Sequence, residues 1–463
     1  MSRSVVVLEL NELCPTLLDR FMDSGDLPNF ARLRSESVVY TTDADEPQGR
    51  LNPWIQWVTA HTGAGFDDHG VFKLGEGSNL RLPTVADVVT DAGGTSWLCG
   101  PMNVVPIRPV RGTWLPDPWN PDEAGPAALA PFARFVRANV QEHTNASNRL
   151  GVRAHLRFLA FMARHGLSAS TVRAVLAQLA SERRRGQRWR RAALLDRFQW
   201  DLFRHELLKS RPTFATYFSN TTAHYQHLYW RYMDPDPFEL KPTEVETAEY
   251  GDAVAFGYRE MDRLVGDALR LAEDDITLVF CTALSQQPYT IKDAEGGSRF
   301  YRPNNIAAFA GMLGLTGIGK VAPVMSAQFH LLFDDEADAA AAEAVLRDAR
   351  VGERSAFDVR RKGSDVFTGF ALTDDLPADA MIDVPGGIRL RVHDVLYRAE
   401  TAKSGYHHPH GALWMRTPTR IGAVVREPVS LRAVAPTLLD LLDLDVPASM
   451  TAPPLPRTAA GAA

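Results

Sequence analysis

Histidines, the side chains that bind transition metals most often, are concentrated in two short segments of the sequence. One segment holds His224 and His227, and the other holds His407, His408 and His410, so five of the thirteen histidines lie there. This pattern predicts a metal site built from both segments, with His224, His227 and His407 as the candidate ligands. Because aromatic residues surround the first pair, histidines that only hydrogen-bond to backbone are the alternative.

Polar side chains also follow two candidate strands, at residues 5–10 and 276–282. These side chains are Glu9, Asn11, Glu12, Ser285 and Gln286. Because the carboxyl ends of neighbouring parallel strands meet at one edge of a sheet, we expect the two groups to face each other. They form the candidate catalytic set, in which Glu9 or Glu12 is the expected general base for an attacking water molecule.

The signatures of several enzyme classes are absent from the sequence. It contains no HExxH zinc motif, no CxxC pair and no P-loop, and no GxSxG serine-hydrolase turn. A metal-free reaction in which Ser285 or Thr59 works with a histidine stays open, although no motif orders such a triad.

The hydrophobic pattern alternates between strand and helix along most of the chain. Helix candidates are residues 15–24, 84–91, 245–272 and 431–442, and the strand candidates are 5–10, 95–99, 213–218, 276–282 and 421–425. Such alternation predicts an α/β protein with a three-layer αβα domain.

Two stretches interrupt this alternation and are predicted to be insertions. Residues 126–206 are predicted to be a helical cap, and residues 322–384 a small α+β insertion. Residues 134–204 contain fifteen arginines, no lysine and four acids, so this stretch carries +11 and the rest of the chain −17. The remaining predicted segments are core residues 1–125, 207–321 and 385–450 and a disordered Pro- and Ala-rich tail, 451–463.

The arginines of the cap are candidate ligands for an anionic substrate. The densest run supplies Arg184, Arg188, Arg190 and Arg191, and guanidinium groups suit bidentate recognition of phosphate, sulfate or carboxylate. A solvated helical face that pairs with the acidic body of the protein is the alternative.

Composition and charge narrow the class of protein. The chain has 463 residues, of which 45% are hydrophobic and 23% charged, and a formal net charge of −6, which is typical of a globular protein and argues against a nucleic-acid partner. No run of about 18 apolar residues is present, so no membrane partner is predicted. Three separated cysteines fit a reducing compartment, and we expect a cytoplasmic protein with a small anionic substrate. The oligomeric state stays open.

Several segments together resemble the alkaline phosphatase superfamily, in its type I phosphodiesterase/nucleotide pyrophosphatase branch. The resemblance covers most of the chain outside the two insertions and implies an alkaline-phosphatase-like αβα fold. The segments that carry it are residues 5–13, Gly25-Asp-Leu-Pro-Asn-Phe-Ala-Arg-Leu33, Trp57-Val-Thr-Ala-His-Thr62-Gly63, Asp68-His69-Gly70, Gly405-Tyr-His407-His-Pro-His-Gly411 and Ala433-Val-Ala-Pro436-Thr437.

Members of that family bind two metal ions, usually zinc, and transfer a phosphoryl or sulfuryl group through a Thr or Ser nucleophile. Here the position of the family's first Asp holds Asn11, and the position of its nucleophile holds Pro53. Residues 282–285, Thr-Ala-Leu-Ser, stand where the family has Ser-Asp-His-Gly. The resemblance therefore implies that the nucleophile and the ligands of one metal have been replaced.

The other metal site of the family is retained in part. The family's Asp-x-x-x-His corresponds to Ala223 and His227, and its C-terminal His corresponds to His407, so two of three ligands remain. Asn220 or His224 is a candidate third ligand. The resemblance thus implies one divalent metal, zinc or manganese, or none.

The replacements lie in orderly polar segments, which indicates a rebuilt site rather than an eroded one. The expected function is hydrolysis or group transfer at a phosphate or sulfate ester. Since a fold does not fix a function, the alternative is a noncatalytic family member that binds an anionic ligand or a partner protein.

Overall fold

A computed structural model gives the structure of the chain and describes residues 4–458 except 121–124, 143–150, 186, 273–274, 292, 325–327 and 400. The strands are β1 Ser4–Leu10, β2 Val38–Asp43, β3 Ser96–Cys99, β4 Gly112–Leu115, β5 Phe214–Ser219, β6 Ile276–Cys281, β7 Ser285–Pro288, β8 Tyr301–Pro303, β9 Ile318–Pro323, β10 Phe329–Phe333, β11 Arg350–Val351, β12 Arg354–Ser355, β13 Phe357–Lys362, β14 Asp365–Phe370, β15 Met381–Val384, β16 Ile388–Arg391, β17 Leu396–Arg398, β18 Gly405–His408, β19 His410–Arg416, β20 Ala423–Val424 and β21 Val429–Ser430.

The helices are α1 Pro15–Asp23, α2 Pro28–Ser35, α3 Pro53–Thr62, α4 Phe66–His69, α5 Val85–Asp91, α6 Ala130–Glu142, α7 Val152–Arg164, α8 Ala169–Arg185, α9 Arg191–Ser210, α10 Thr221–Met233, α11 Glu244–Tyr250, α12 Ala253–Leu271, α13 Ile306–Met312, α14 Glu336–Asp348, α15 Val392–Val395 and α16 Val434–Leu441. No helix within the described ranges combines the length and the apolar character needed to cross a bilayer.

A mixed sheet forms the centre of the molecule, with strand order β20-β2-β19-β6-β1-β5-β3-β4 and β21 paired with β2. Strand β1 is central and pairs in parallel with β5 and β6. Its side chains alternate between the two faces: Val6 and Leu8 join one hydrophobic cluster, and Val5 and Val7 join the other. This alternation is what a strand covered on both faces requires.

Helices cover both faces of the sheet. One hydrophobic cluster contains side chains of α1, α2, α9, α10 and α12, and the other contains side chains of α3, α5 and α16. The three-layer αβα class expected from the sequence is therefore confirmed.

Four strands of this sheet were not among the strand candidates: β2, β4, β19 and β21. Of these, β19 lies inside the sheet and runs antiparallel between β2 and β6. The pattern of β19 hides it, because six of its seven residues are buried and no polar–apolar alternation marks it. The predicted strand 421–425 is reduced to the two residues of β20.

The predicted cap region contains helices α6 to α9. Its inner side chains, among them Phe158 and Trp200, belong to the same hydrophobic cluster as the helices under the sheet. The small insertion has a separate hydrophobic cluster, whose members run from Tyr301 to Leu396, a wider span than the predicted 322–384.

Residues 451–458 make defined contacts, although composition predicts a disordered tail from residue 451. The Leu455 N–H donates to Thr437 Oγ1 at 2.9 Å, the Tyr40 hydroxyl donates to the Pro456 carbonyl at 2.8 Å, and Arg457 pairs with Asp440 at 2.5 Å. These bonds hold the segment on α16 and β2. Residues 459–463 lie outside the described residues.

Candidate metal centre

Three side chains converge at the carboxyl edge of the central sheet: Glu12, His227 and His407. One potential ligand atom from each lies within 4.8 Å of the other two. The His227 Nε2 atom lies 3.2 Å from Glu12 Oε2, and the His407 Nε2 atom lies 3.7 Å from Glu12 Oε1. The two imidazole ring centres are 5.2 Å apart. A carboxylate and two imidazoles form a common donor set for zinc and manganese.

Three separate elements position these side chains. Glu12 follows β1, His227 lies on α10 and His407 lies on β18, which pairs antiparallel with β7 so that His407 faces Gln286. The Ser404 N–H donates to the His227 carbonyl at 2.7 Å and thereby ties the start of β18 to α10. Gly405 allows this close approach, since a Cβ atom there would lie 2.6 Å from the Gln226 carbonyl oxygen.

Both histidines hydrogen-bond to backbone, and for His227 this bond fixes which nitrogen faces Glu12. The His227 Nδ1 atom lies 2.9 Å from the Gly405 carbonyl oxygen, so Nδ1–H is the donor and a neutral ring leaves a lone pair on Nε2. His407 likewise bonds to the backbone of Leu51. An imidazole that donates its second N–H to a carbonyl is typical of a metal ligand.

The charge state of the centre favours a cation between its members. Burial alone would raise the pKa of the Glu12 carboxyl, but the charges of His407 and His227 and hydrogen bonds from His227 and Gln286 lower the pKa to about 2. Burial lowers the pKa of His407 to about 4, although Glu12 acts in the opposite direction. Near neutral pH, the Glu12 carboxylate is therefore ionised and the His407 ring is neutral, and both can serve as metal ligands without losing a proton.

Glu12 has an unusual backbone conformation. Its φ angle of 59° lies in the left-handed region, which non-glycine residues rarely adopt and which concentrates at functional sites. The Glu12 carbonyl accepts a hydrogen bond from Gln226 at 2.8 Å, and the Gln226 Oε1 atom accepts one from Tyr258 at 2.6 Å. The Tyr258 hydroxyl in turn accepts the Cys14 N–H at 2.7 Å. These contacts hold the turn that aims the carboxylate at the histidines.

Asn11 supports the Glu12 carboxylate. The indole N–H of Trp57 donates to Asn11 Oδ1 at 2.7 Å, so the amide nitrogen of Asn11 must face the other way. That nitrogen donates to Glu12 Oε1 at 2.9 Å and to Asn220 Oδ1 at 2.7 Å. An aspartate at position 11 would instead place a second carboxylate beside Glu12, so the amide of Asn11 is compatible with an ionised Glu12 where an aspartate is not.

Gln286 is the second amide beside the carboxylate. Its nitrogen donates to Glu12 Oε2 and, at 2.9 Å, to the Ala223 carbonyl. Ser285 precedes it on β7 and is buried opposite His408. Of the predicted catalytic set, Asn11, Glu12 and Gln286 thus meet at one place.

Glu9 lies in a different environment. It forms a fully buried pair with His61 on α3, with 2.8 Å between Glu9 Oε1 and His61 Nε2. The structure therefore separates the two glutamates that the sequence offered as alternative bases: Glu12 faces the histidines, and Glu9 faces His61.

The predicted third histidine does not join the centre. His224 is exposed on α10 and is absent from the described group of potential ligands. Sequence reasoning named Glu12 only as a base and missed it as a ligand. No sequence signal could have identified it as a ligand. The Glu12 carboxylate comes from the end of β1, whereas the resemblance places a carboxylate ligand on α10, where Ala223 stands.

Two of the four predicted cap arginines form ion pairs within the protein. Arg190 lies 3.5 Å from Asp252 and stacks on Trp189 and Phe256, and Arg191 pairs with Glu182. Arg188 is exposed, and the side chain of Arg184 lies outside the described part of the chain. Their predicted role in substrate binding stays a prediction.

Thr59 is not activated by a histidine base, as the metal-free alternative would require. The Val71 N–H donates to His69 Nδ1 at 3.1 Å, so a neutral His69 ring carries its proton on Nε2. That nitrogen lies 3.3 Å from Thr59 Oγ1, and it donates to the hydroxyl instead of accepting its proton. Burial lowers the pKa of His69 to about 4, which keeps the ring neutral. Pro53, at the predicted nucleophile position, is the first residue of α3.

Comparisons with known proteins give distant structural similarities. No protein-family model and no curated protein matches the sequence. The murine ectonucleotide pyrophosphatase/phosphodiesterase 5 is 10% identical with a TM-score of 0.40, and the match covers 96% of each chain. Phosphonoacetate hydrolase from Sinorhizobium meliloti, bound to phosphonoformate, is 12% identical with a TM-score of 0.43 and 96% coverage of each chain. The alkaline phosphatase PafA is 12% identical with a TM-score of 0.43 and 98% coverage of each chain. At these identities and TM-scores, the similarities carry no argument about activity.

Proposed function

We propose that the protein is a divergent hydrolase or group transferase for phosphate or sulfate esters, and that it uses a single divalent ion. The ion, zinc or manganese, would be held by Glu12, His227 and His407. The observation that carries this proposal is the convergence of the three side chains, in which potential ligand atoms lie within 4.8 Å of one another.

The donor set fits a metal better than a structural ion pair. A structural pair would need a proton between Glu12 and each imidazole, yet burial lowers the pKa of His407 to about 4. The Nδ1–H of His227 is already committed to the Gly405 carbonyl. Glu12 and a neutral His407 thus offer ligand atoms with no proton to lose, and His227 offers its Nε2 atom, as three ligands of one ion do.

Each residue of the centre then has a defined task. A divalent ion at this position would supply Lewis-acid chemistry by polarising a phosphoryl or sulfuryl oxygen. Asn11 and Gln286 donate to the two oxygens of Glu12 and keep the carboxylate in place. His227 and His407 are held in orientation by their backbone hydrogen bonds.

Turnover of simple esters tests the proposal. Protein reconstituted with zinc or manganese should hydrolyse at least one of a panel of nitrophenyl phosphate mono- and diesters and sulfate esters, and chelation should remove the activity. His227→Ala should reduce turnover at least about a hundredfold, as expected when a metal ligand is lost. The matched variant His224→Ala, three residues away on the same helix, should retain it. Equal activity in both variants would contradict the proposal.

A noncatalytic anion-binding protein is the second candidate function. Pro53 at the start of α3 favours it, because no hydroxyl stands where the resemblance places the nucleophile. This candidate predicts that the metal-loaded protein binds inorganic phosphate but hydrolyses none of the esters.

A further inference from the structure

Lys403 lies beside the candidate metal centre, between two tyrosine rings. Its Nζ atom is 4.3 Å from the ring centre of Tyr406 and 4.7 Å from that of Tyr289. The two rings are 5.5 Å apart and inclined at 54°. An ammonium group over two aromatic faces is attracted by both, so these contacts restrict where the amine lies.

The backbone around Lys403 is also fixed. The Lys403 N–H donates to the Ser298 carbonyl at 2.8 Å, and the Tyr289 N–H donates to the Ser404 carbonyl at 2.7 Å. The second bond continues the ladder between β7 and β18. Lys403 and both tyrosines therefore lie on, or directly beside, the paired strands β7 and β18, which also position His407.

The Tyr406 ring contacts both the Lys403 amine and the His407 imidazole, which puts the amine beside the metal ligands. The ring of Tyr406 stacks on the ring of His407, with 5.5 Å between centres and 19° between planes. Burial lowers the pKa of Lys403 to about 8, and the negative charge of Glu12 acts against this shift. The positive charge of Lys403 also contributes to the lowered pKa of His407.

Within the described ranges, the ammonium group of Lys403 keeps N–H donors available for a ligand. Among the described residues, no carbonyl or carboxylate lies within hydrogen-bonding distance of Lys403 Nζ, whose contacts are the two rings. A lysine ammonium carries three N–H donors. A partly buried cation that is held by aromatic faces and meets no acceptor among the described residues is suited to bind an anionic oxygen from a ligand.

We infer that Lys403 is the anion-binding residue of this site and binds an oxygen of a tetrahedral oxyanion, the phosphoryl or sulfuryl group of the substrate. The inference rests on the proposed function, because it places that group between the Lys403 ammonium and the Glu12, His227 and His407 centre. It assigns to Lys403 the role for which the sequence offered the cap arginines, two of which pair with Asp252 and Glu182.

Binding of inorganic phosphate tests this inference. The protein is loaded with stoichiometric zinc, freed of excess metal, and titrated with phosphate near neutral pH in a calorimeter. Lys403→Met, which keeps the length of the side chain but removes the charge, should weaken phosphate binding at least about tenfold, as expected for loss of a charged hydrogen bond. Lys403→Arg should restore part of the affinity. Lys209→Met, at an exposed lysine on α9, should bind phosphate as the wild type does.

Zinc affinity of the same variants separates this inference from the proposed function. Lys403→Met should bind zinc within about twofold of wild type, since it removes no ligand. Unchanged phosphate affinity in Lys403→Met, with zinc still bound, would overturn the role of Lys403 alone. If wild-type protein binds no zinc, the proposed function fails. In that case, phosphate titration of the metal-free protein still decides whether binding depends on Lys403, and independence from Lys403 would overturn the inference.

Discussion

Glu12 is the residue on which the chemistry of the site depends. Its carboxylate is buried, receives amide hydrogen bonds from Asn11 and Gln286, and faces two imidazoles. Such an arrangement would be costly without compensation, because a buried charge is tolerated only when it is paired and hydrogen-bonded. The left-handed φ angle of Glu12 adds to that cost, which a bound cation would offset.

Replacing Glu12 should therefore abolish tight metal binding. We expect Glu12→Gln to weaken zinc binding at least about a hundredfold, since an amide is a poor substitute for a charged ligand. Glu9→Gln is the matched control: Glu9 lies three residues away but bonds to His61, so zinc affinity should stay within about twofold of wild type. Competition with a chromophoric chelator measures both affinities, and equal effects of the two variants would contradict the assignment of Glu12.

Asp117 should make folding stability depend on pH in a definite direction. Burial raises its pKa to about 6, against hydrogen bonds from the Asn103, Trp119 and Asn120 backbone that lower it. A raised pKa means that the folded state binds the proton more tightly than the unfolded state. The contribution of Asp117 to the free energy of unfolding is therefore fully present below about pH 4. It falls by about 3 kcal/mol as the pH rises through 6.

Urea unfolding between pH 4 and 7 checks this expectation. In Asp117→Asn, the side chain has no proton to lose in this range, so the fall in stability from this group should disappear. An unchanged pH dependence in the variant would show that other groups cause it.

At the scale of elements, the turn after β1 is tied to two helices. Gln226 on α10 bonds to the Glu12 carbonyl, and Tyr258 on α12 joins Gln226 to the Cys14 N–H. Tyr258→Phe would leave the buried Cys14 N–H and Gln226 Oε1 without this partner. We expect a loss of about 1–3 kcal/mol in the free energy of unfolding, measured by urea denaturation. A loss below about 0.5 kcal/mol would mean that other groups or water satisfy these atoms.

Much of the fold could be predicted from sequence because its signals are local. Strand β1 is a short apolar run, and α5 begins with a capping box in which Thr84 accepts the Asp87 N–H, so both were predicted within a residue or two. Strand β19 was missed because burial on both faces removes the alternation that marks a strand. The predicted helix 245–272 is divided into α11 and α12, since Gly251 and Asp252 interrupt a continuous apolar pattern.

The candidate site was predictable in its residue types but not in its pairing. His227 and His407 were identified from histidine density and from the family resemblance, and the structure brings them together. The role of Glu12 could not be read from sequence. It depends on a left-handed backbone at one residue and on the distance between the end of β1 and α10, which are set by tertiary packing.

At the scale of the whole molecule, charge is divided unevenly. Residues 134–204 carry +11 and the rest of the chain −17. One contact between the two parts is a bidentate pair, in which Arg197 on α9 donates to both oxygens of Glu260 on α12 at 2.7 and 2.6 Å. Both side chains are largely buried, so this pair is screened by solvent less than the surface pairs are.

A double-mutant cycle should show that this contact matters more than its surface counterparts. We expect a coupling energy of at least about 1 kcal/mol between Arg197→Met and Glu260→Met, because both partners are largely buried and the geometry is bidentate. Arg191→Met with Glu182→Met is the matched cycle, and the exposure of Arg191 should limit its coupling to about 0.5 kcal/mol. Similar coupling in both cycles would indicate that burial of the Arg197 pair adds nothing.

The metal stoichiometry of the purified protein tests the central claim most directly. Protein prepared without an affinity tag or chelator should contain close to one divalent ion per chain by plasma mass spectrometry, and the ion should be absent from the His227→Ala and His407→Ala variants. One ion per chain that depends on both histidines is the result that this structure predicts. Two ions per chain, or wild-type protein that binds no zinc or manganese even after reconstitution, would contradict a single-metal centre formed by Glu12, His227 and His407.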